Sequence, residues 1–291
     1  MGVLFVILSA ICFGISNAYW KKAIGQKSFY VVIFFRGLFT STLYGLILVL
    51  NYIFNFLPTI LLSTDIVSIS TYIYAILLSI FSGIGLYFFV KSIQTDKISV
   101  VVPLSSINVF SVLTAVFILN ETWKNEYIVQ IGLVVFGALL IYSSSKRDNK
   151  ISSNKNIILT SILAAFFWGI SYALFKVSIQ KIGALAFAFI LELTITCFAF
   201  FLIIYNQVFH EILTGNKIKH YIVLSLLLFF GTLFINLGLQ HTPIIVVNIL
   251  SNITLLISLL LGFILYNEKL NWKEWLGILL ILIAIFLASF L

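Results

Sequence analysis

The chain has 291 residues, 62% of them hydrophobic, 16% aromatic and only 9% charged, with a formal net charge of +8 and a mean hydropathy of +1.18. An average soluble domain carries about 25% charged residues, so the composition excludes an ordinary water-soluble enzyme. It also excludes a nucleic-acid-binding domain, because the basic residues lie in connections between apolar runs and not on a basic surface.

Lipid offers backbone N–H and C=O groups no partners, so every apolar run of spanning length must be a helix. Ten such runs are read, at about 3–20, 29–50, 67–90, 97–119, 126–144, 157–175, 183–205, 221–240, 243–266 and 272–291. The first lacks a basic segment before it and is followed by Lys21 and Lys22, which reads as a retained span and not a cleaved signal peptide. Cys12 and Cys197 lie within apolar runs and read as small buried residues, forming neither a metal cluster nor a disulfide framework. No cofactor and no metal is expected. The polar run 143–156 is the most hydrophilic stretch and divides the chain into five helices and five helices. The domain expectation is therefore a first repeat over 1–145, a linker over 146–156 and a second repeat over 157–291.

The halves echo one another. Residues 13–21 read F-G-I-S-N-A-Y-W-K and residues 168–176 read W-G-I-S-Y-A-L-F-K, in register at an offset of 155. Leu119-Asn120-Glu121 closes the fourth helix and Tyr266-Asn267-Glu268 the ninth. An odd number of helices per repeat turns the second half upside down relative to the first. The expected fold is thus all-α integral membrane, with ten transmembrane helices as two inverted five-helix repeats. Of the 17 Lys and Arg, thirteen fall on the side opposite the termini, three on the side of the termini, and Arg36 lies within a span. The bias of basic loops toward the cytoplasm places both termini outside.

Candidate site residues follow from what lipid cannot satisfy. Arg36 in the second helix and Glu192 in the seventh are ionisable groups well inside spans, where a charge costs several kcal/mol and marks function by default. Each lies roughly 10–14 Å into its helix from opposite faces of a ~30 Å core. The expectation is that they bond to different neighbours and not to each other. Glu192, left without a cation, is then a candidate proton carrier. Lys21 and Lys176 close the repeated stretch and are expected at a cavity rim, with Arg36 and Glu192, in coupling or gating roles. Ser16, Asn17, Tyr19, Tyr87, Asn108, Trp168, Tyr172 and Asn252 are expected to contact substrate, as small polar or aromatic groups pointing away from lipid. Pro103 in the fourth helix has no counterpart in the ninth, which predicts that the two helices are used differently. No nucleophile–base pair occurs within a span, so no enzymatic activity is expected.

Two five-helix repeats, each opening with [FW]-G-I-S-x-A-x-x-K and closing its fourth helix with N-E, resemble the drug/metabolite transporter superfamily, and most of all its two-repeat EamA-type members. Arg36 matches that family's second-helix arginine. The resemblance implies a central cavity between the halves and secondary or facilitative transport of small metabolites by alternating access, as an exporter of amino acids or related compounds. It implies both termini in the cytoplasm, where the charges of this chain imply the opposite. The implied location is the bacterial inner (plasma) membrane. The implied partners are the lipid bilayer, a small-molecule metabolite, protons and a second copy of the chain, with no nucleic acid. The competing class is a non-transport receptor or scaffold, which calls for a sizeable soluble segment.

Overall fold

A computed structural model describes every residue except 26, 56–60, 62–66, 96–97, 107–108, 124, 146–154, 214–217, 268–270 and 289–291. The described residues form helices and no strand. They are α1 Gly2–Ile24, α2 Phe29–Phe54, α3 Ile69–Thr95, α4 Ile98–Ser105, α5 Val109–Phe117, α6 Glu126–Ser145, α7 Lys155–Ile182, α8 Ala184–Tyr205, α9 His210–Leu213, α10 Ile218–His241, α11 Ile244–Ser251, α12 Ile253–Tyr266 and α13 Trp272–Ala288. Among the described residues, seven helical stretches are long and apolar enough to cross a membrane, counting α11 and α12 as one run. The shorter apolar helices α4–α5, α6 and α13 complete the ten-helix architecture.

One span differs from the uninterrupted helix expected: the ninth is divided into α11 and α12 at Asn252, while in the fourth α4 and α5 lie on either side of residues outside the described set. At Asn252 the backbone N–H donates to Ile249 at 3.2 Å, and the side-chain amide donates to the carbonyls of Asn248 and Ile249 at 3.1 and 3.0 Å. A polar side chain that competes for backbone groups in this way interrupts the helical ladder. Pro103 lies inside α4, whereas neither α11 nor α12 has a proline within it.

Association of helices in lipid draws little on the hydrophobic effect and depends on close approach and polar contacts. The repeated stretch supplies both. A Cβ on Gly14 would lie 2.6 Å from Ile257 Cβ, and one on Gly169 would lie 2.7 Å from Phe110 Cβ and 3.0 Å from the Ser111 backbone nitrogen. So Gly14 seats α1 against α12, and Gly169 seats α7 against α5. The preceding aromatics behave alike: Phe13 lies over Gly231 of α10 and Trp168 over Gly85 of α3. Ala18 and Ala173 are fully buried, and Ser16 and Ser171 bond back to the carbonyls of Phe13 and Trp168. Each half thus contributes one helix that grips the other half, with α2 packed on α8 and α6 on α13 between them. A Cβ on Gly137 would lie 2.7 Å from the Gly277 carbonyl oxygen, the close approach that joins α6 to α13.

Large apolar side chains such as Leu46, Ile73, Phe136, Phe201 and Ile264 cover the outside. Cys197, expected to be buried, is exposed on that outer face, and Cys12 is partly buried. An all-apolar helix accepts a thiol equally well on either side.

Candidate functional site

A cavity of about 150 Å³ opens between the halves, a volume on the scale that admits a small organic molecule. α1, α2, α3, α4, α5, α7, α8, α10, α11 and α12 all contribute to its wall. One part is aromatic: Trp168, Tyr172 and Phe175 on α7, Phe89 on α3, and Phe13 and Trp20 on α1. The rings are held in place. Trp168 donates from its indole Nε1 to the Ser82 carbonyl at 3.1 Å and stacks on Tyr172 with centroids 6.2 Å apart. Another part is polar, with Ser16, Asn17, Ser105, Ser106, Asn248 and Ser251 in the wall. Asn248 donates to Ser111 Oγ at 2.9 Å and Asn17 to Ser258 Oγ at 3.3 Å, so inter-helix hydrogen bonds hold the polar groups of both halves.

Arg36 and Glu192 line the same cavity and form a direct salt bridge from Arg36 Nη1 to Glu192 Oε2, with both side chains almost completely buried. This corrects the expectation that they bond to separate neighbours. α2 and α8 pack directly against one another, so the two side chains meet between them. The premise for Glu192 as a proton carrier, a carboxyl without a cation, does not hold in this arrangement. Glu192 Oε1 also receives a loose 3.4 Å hydrogen bond from Thr232 of α10. Arg36 O accepts from Ser225 of α10 and from Thr40, tying the charged pair's backbone into the bundle.

The other expected residues divide. Ser16, Asn17, Trp168 and Tyr172 are in the wall. Tyr19 and Tyr87 are not among its described lining residues. Tyr19 Oη lies 2.8 Å from His220 Nδ1, between α1 and α10, and Trp20 turns inward in its place. Tyr87 packs against Phe29, Tyr30 and Phe88, with Lys91 over its ring. Asn252 is buried at the α11–α12 break, and its neighbours Asn248 and Ser251 face the cavity instead. Asn108 lies outside the described residues.

Neither repeat lysine is an open cation at the rim. Lys21 lies over the Tyr266 ring at 5.4 Å. Lys176 donates to Glu121 Oε1 at 2.9 Å and to the Thr242 carbonyl at 3.3 Å. Glu121 also accepts the backbone N–H of Ile244 at 2.9 Å and of Ile245 at 3.3 Å, capping the N-terminus of α11. The acid that closes the fourth span therefore holds the start of the ninth, across the boundary between the halves. Glu121→Ala is expected to remove the ion pair and the cap together and to cost about 2 kcal/mol. Lys176→Met leaves the cap in place and should cost less; both are read from melting midpoints of purified protein in detergent. Equal losses would show that the cap contributes nothing.

Sequence reasoning singled out Glu121 only as part of a repeated motif and passed over Thr232. The available signal was spacing: Thr232 and Asn236 stand one turn apart in an otherwise apolar run.

No curated protein matches the chain significantly in sequence. A crystal structure of a protein is similar to it with a TM-score of 0.73 at 10% identity, the match covering 99% of this chain and 96% of that one; at such identity the likeness concerns the fold alone. The model of the EamA-like transporter family matches residues 1–143 and again 155–290, one match for each half. The chain belongs to the EamA-like transporter family and is a membrane transporter of the drug/metabolite superfamily.

Proposed function

We propose that the chain carries a small metabolite across the bilayer by alternating access around the central cavity, as an exporter of amino acids or related compounds. The observation that carries this reading is the cavity wall. Both halves contribute to it, and it sets a buried cation–anion pair beside aromatic rings. An amino acid brings one charge of each sign on adjacent groups and a side chain of variable bulk, which suits a charged floor and an aromatic wall. The repeats are residues 1–145 and 157–291, inverted relative to one another and joined by the linker 146–156. Their rocking would break and remake contacts such as Lys176–Glu121.

The test compares metabolites inside and outside bacterial cells with and without the gene. Export of one or a few small amino compounds is expected, followed by efflux of the same compounds from proteoliposomes. An unchanged metabolite profile, with no flux in proteoliposomes, would remove the transport reading.

The orientation follows from the thirteen basic residues on one side against three on the other, which puts both termini outside the cell. With Cys12 and Cys197 removed, a cysteine at exposed Ser70 should react with an impermeant thiol reagent in intact cells. One at exposed Asn206 should react only after the membrane is opened. The reverse pattern would place both termini in the cytoplasm.

A further inference from the structure

We propose that Glu192, Thr232 and Asn236 form a subsite for a primary ammonium group, so that the carried metabolite is held by its free amine against α8 and α10. The inference rests on the transport reading above and names the chemistry that reading leaves open.

The starting point is an acceptor without a donor. Asn236 is completely buried on α10 and lines the cavity. Its Nδ2 donates to the Ala184 carbonyl at the start of α8, at 3.2 Å. Only the NH₂ end can donate to a carbonyl, so this bond fixes the amide's orientation. Oδ1 is left with no hydrogen-bond partner among the described residues. A buried acceptor in that condition costs about 1–3 kcal/mol and calls for a missing donor.

The neighbouring groups say which donor fits. Thr232 precedes Asn236 by one helical turn, on the same face, with Cβ atoms about 5–6 Å apart. Its hydroxyl reaches toward Glu192 Oε1 at 3.4 Å. Glu192 Oε2 is taken by Arg36, which leaves Oε1 with only that loose contact among the described residues. The residues that carry a carboxylate oxygen, a hydroxyl and an amide oxygen thus all line the cavity, and each of these oxygens can accept. A primary ammonium has three N–H donors and a positive charge, which matches three acceptors of which one is anionic. Trp168 and Tyr172 line the same cavity, and aromatic rings attract a cation as well. Arg36 Nε, also without a partner among the described residues, offers a donor to an acceptor group elsewhere on the same ligand. An amide nitrogen would bring fewer donors and no charge, and would leave Asn236 or Glu192 unsatisfied.

The test uses L-amino acids and their N-acetyl derivatives as competitors of amino-acid efflux from proteoliposomes containing the full chain. Free amines are expected to compete at least about 100-fold better than the N-acetyl forms, since a site built for a donor rejects the analogue lacking it. Asn236→Leu, close in shape, should reduce that preference about 10-fold or more. Asn236→Asp restores an acceptor but cannot donate to Ala184, so recovery of the preference assigns the effect to Oδ1 and not to the helix anchor. Thr232→Val should lower amine affinity, and Thr232→Ser should restore it. Melting midpoints of each variant separate misfolding from lost recognition. The subsite is overturned if N-acetyl forms compete as well as free amines, or if the transported metabolites lack an amine; the transport reading survives either result. It is overturned also if Asn236→Asp loses the preference as fully as Asn236→Leu, which would leave Asn236 an anchor, or if Asn236→Leu matches the wild type, which would leave Oδ1 facing only water. If neither amines nor any other metabolite moves, the subsite falls together with transport.

Discussion

Glu192→Gln is expected to destabilise the protein by about 3–5 kcal/mol and to abolish transport, because it leaves the Arg36 guanidinium buried in the bundle without its counter-ion. The side chains of Arg36 and Glu192 are 4% and 3% exposed, so water offers neither a substitute partner. A guanidinium keeps its charge at any pH the cell reaches, and has no cheap way to become neutral. Arg36→Lys retains the charge but loses the planar fork and should fall between wild type and the unpaired variants. The informative construction is the double variant Arg36→Met with Glu192→Leu. Replacing a buried ion pair by apolar groups of similar size is often neutral or stabilising. The double variant should therefore recover most of the melting midpoint while transport stays absent. Melting in detergent and proteoliposome flux, measured on the three proteins, check this. If the double variant also transports, the ion pair is a packing element only.

Gly169→Leu should be as damaging for a different reason. A Cβ at this position already lies 2.7 Å from Phe110 Cβ and 3.0 Å from the Ser111 backbone nitrogen, and backbone cannot swing away as a flexible side chain can. Overpacking of this kind costs about 1–3 kcal/mol for a modest excess of volume, so a leucine should cost at least the upper end of that range. It would also push α7 from α5 and widen the cavity's aromatic wall. Gly14→Leu should behave alike through Ile257 and the Thr254 carbonyl. Gly132 of α6 serves as the control: nothing lies within 4 Å of a Cβ there. Gly132→Ala should stabilise by about 0.5–1 kcal/mol through helix propensity. A melting midpoint for Gly169→Leu equal to that of wild type would show that the close contact between α7 and α5 is dispensable.

These variants bear on what a reader of the sequence can and cannot see. The repeated F/W-G-I-S stretch was visible as a duplication. Its packing role appears only when Gly14 meets Ile257 and Gly169 meets Phe110, residues far apart in the chain. Trp168, Tyr172, Ser16 and Asn17 were legible as wall residues because polar and aromatic groups inside a span have few other uses. Tyr19 and Trp20 show the limit. They are adjacent, both aromatic, and one angular step of the helix sends Trp20 to the cavity and Tyr19 to His220. Asn248 and Asn252 repeat the lesson at a helix break, where the turn at Asn252 takes its side chain back to its own backbone.

Composition and spacing determine by themselves that the chain lies in the membrane, that it is all helix, that it has two like halves, and which few groups are too polar to face lipid. Hydrocarbon imposes these conclusions locally, since it forbids unsatisfied backbone and penalises charge wherever they occur. The direction in which each group points is a different matter. A membrane helix is apolar around most of its circumference, so no periodic stripe says which face is inward. Only the tertiary structure decides that α2 meets α8, and hence that Arg36 finds Glu192. Only it decides that Glu121 caps α11 while holding Lys176, and that Asn236, in the cavity wall, is left with a buried oxygen and no donor among the described residues to meet it.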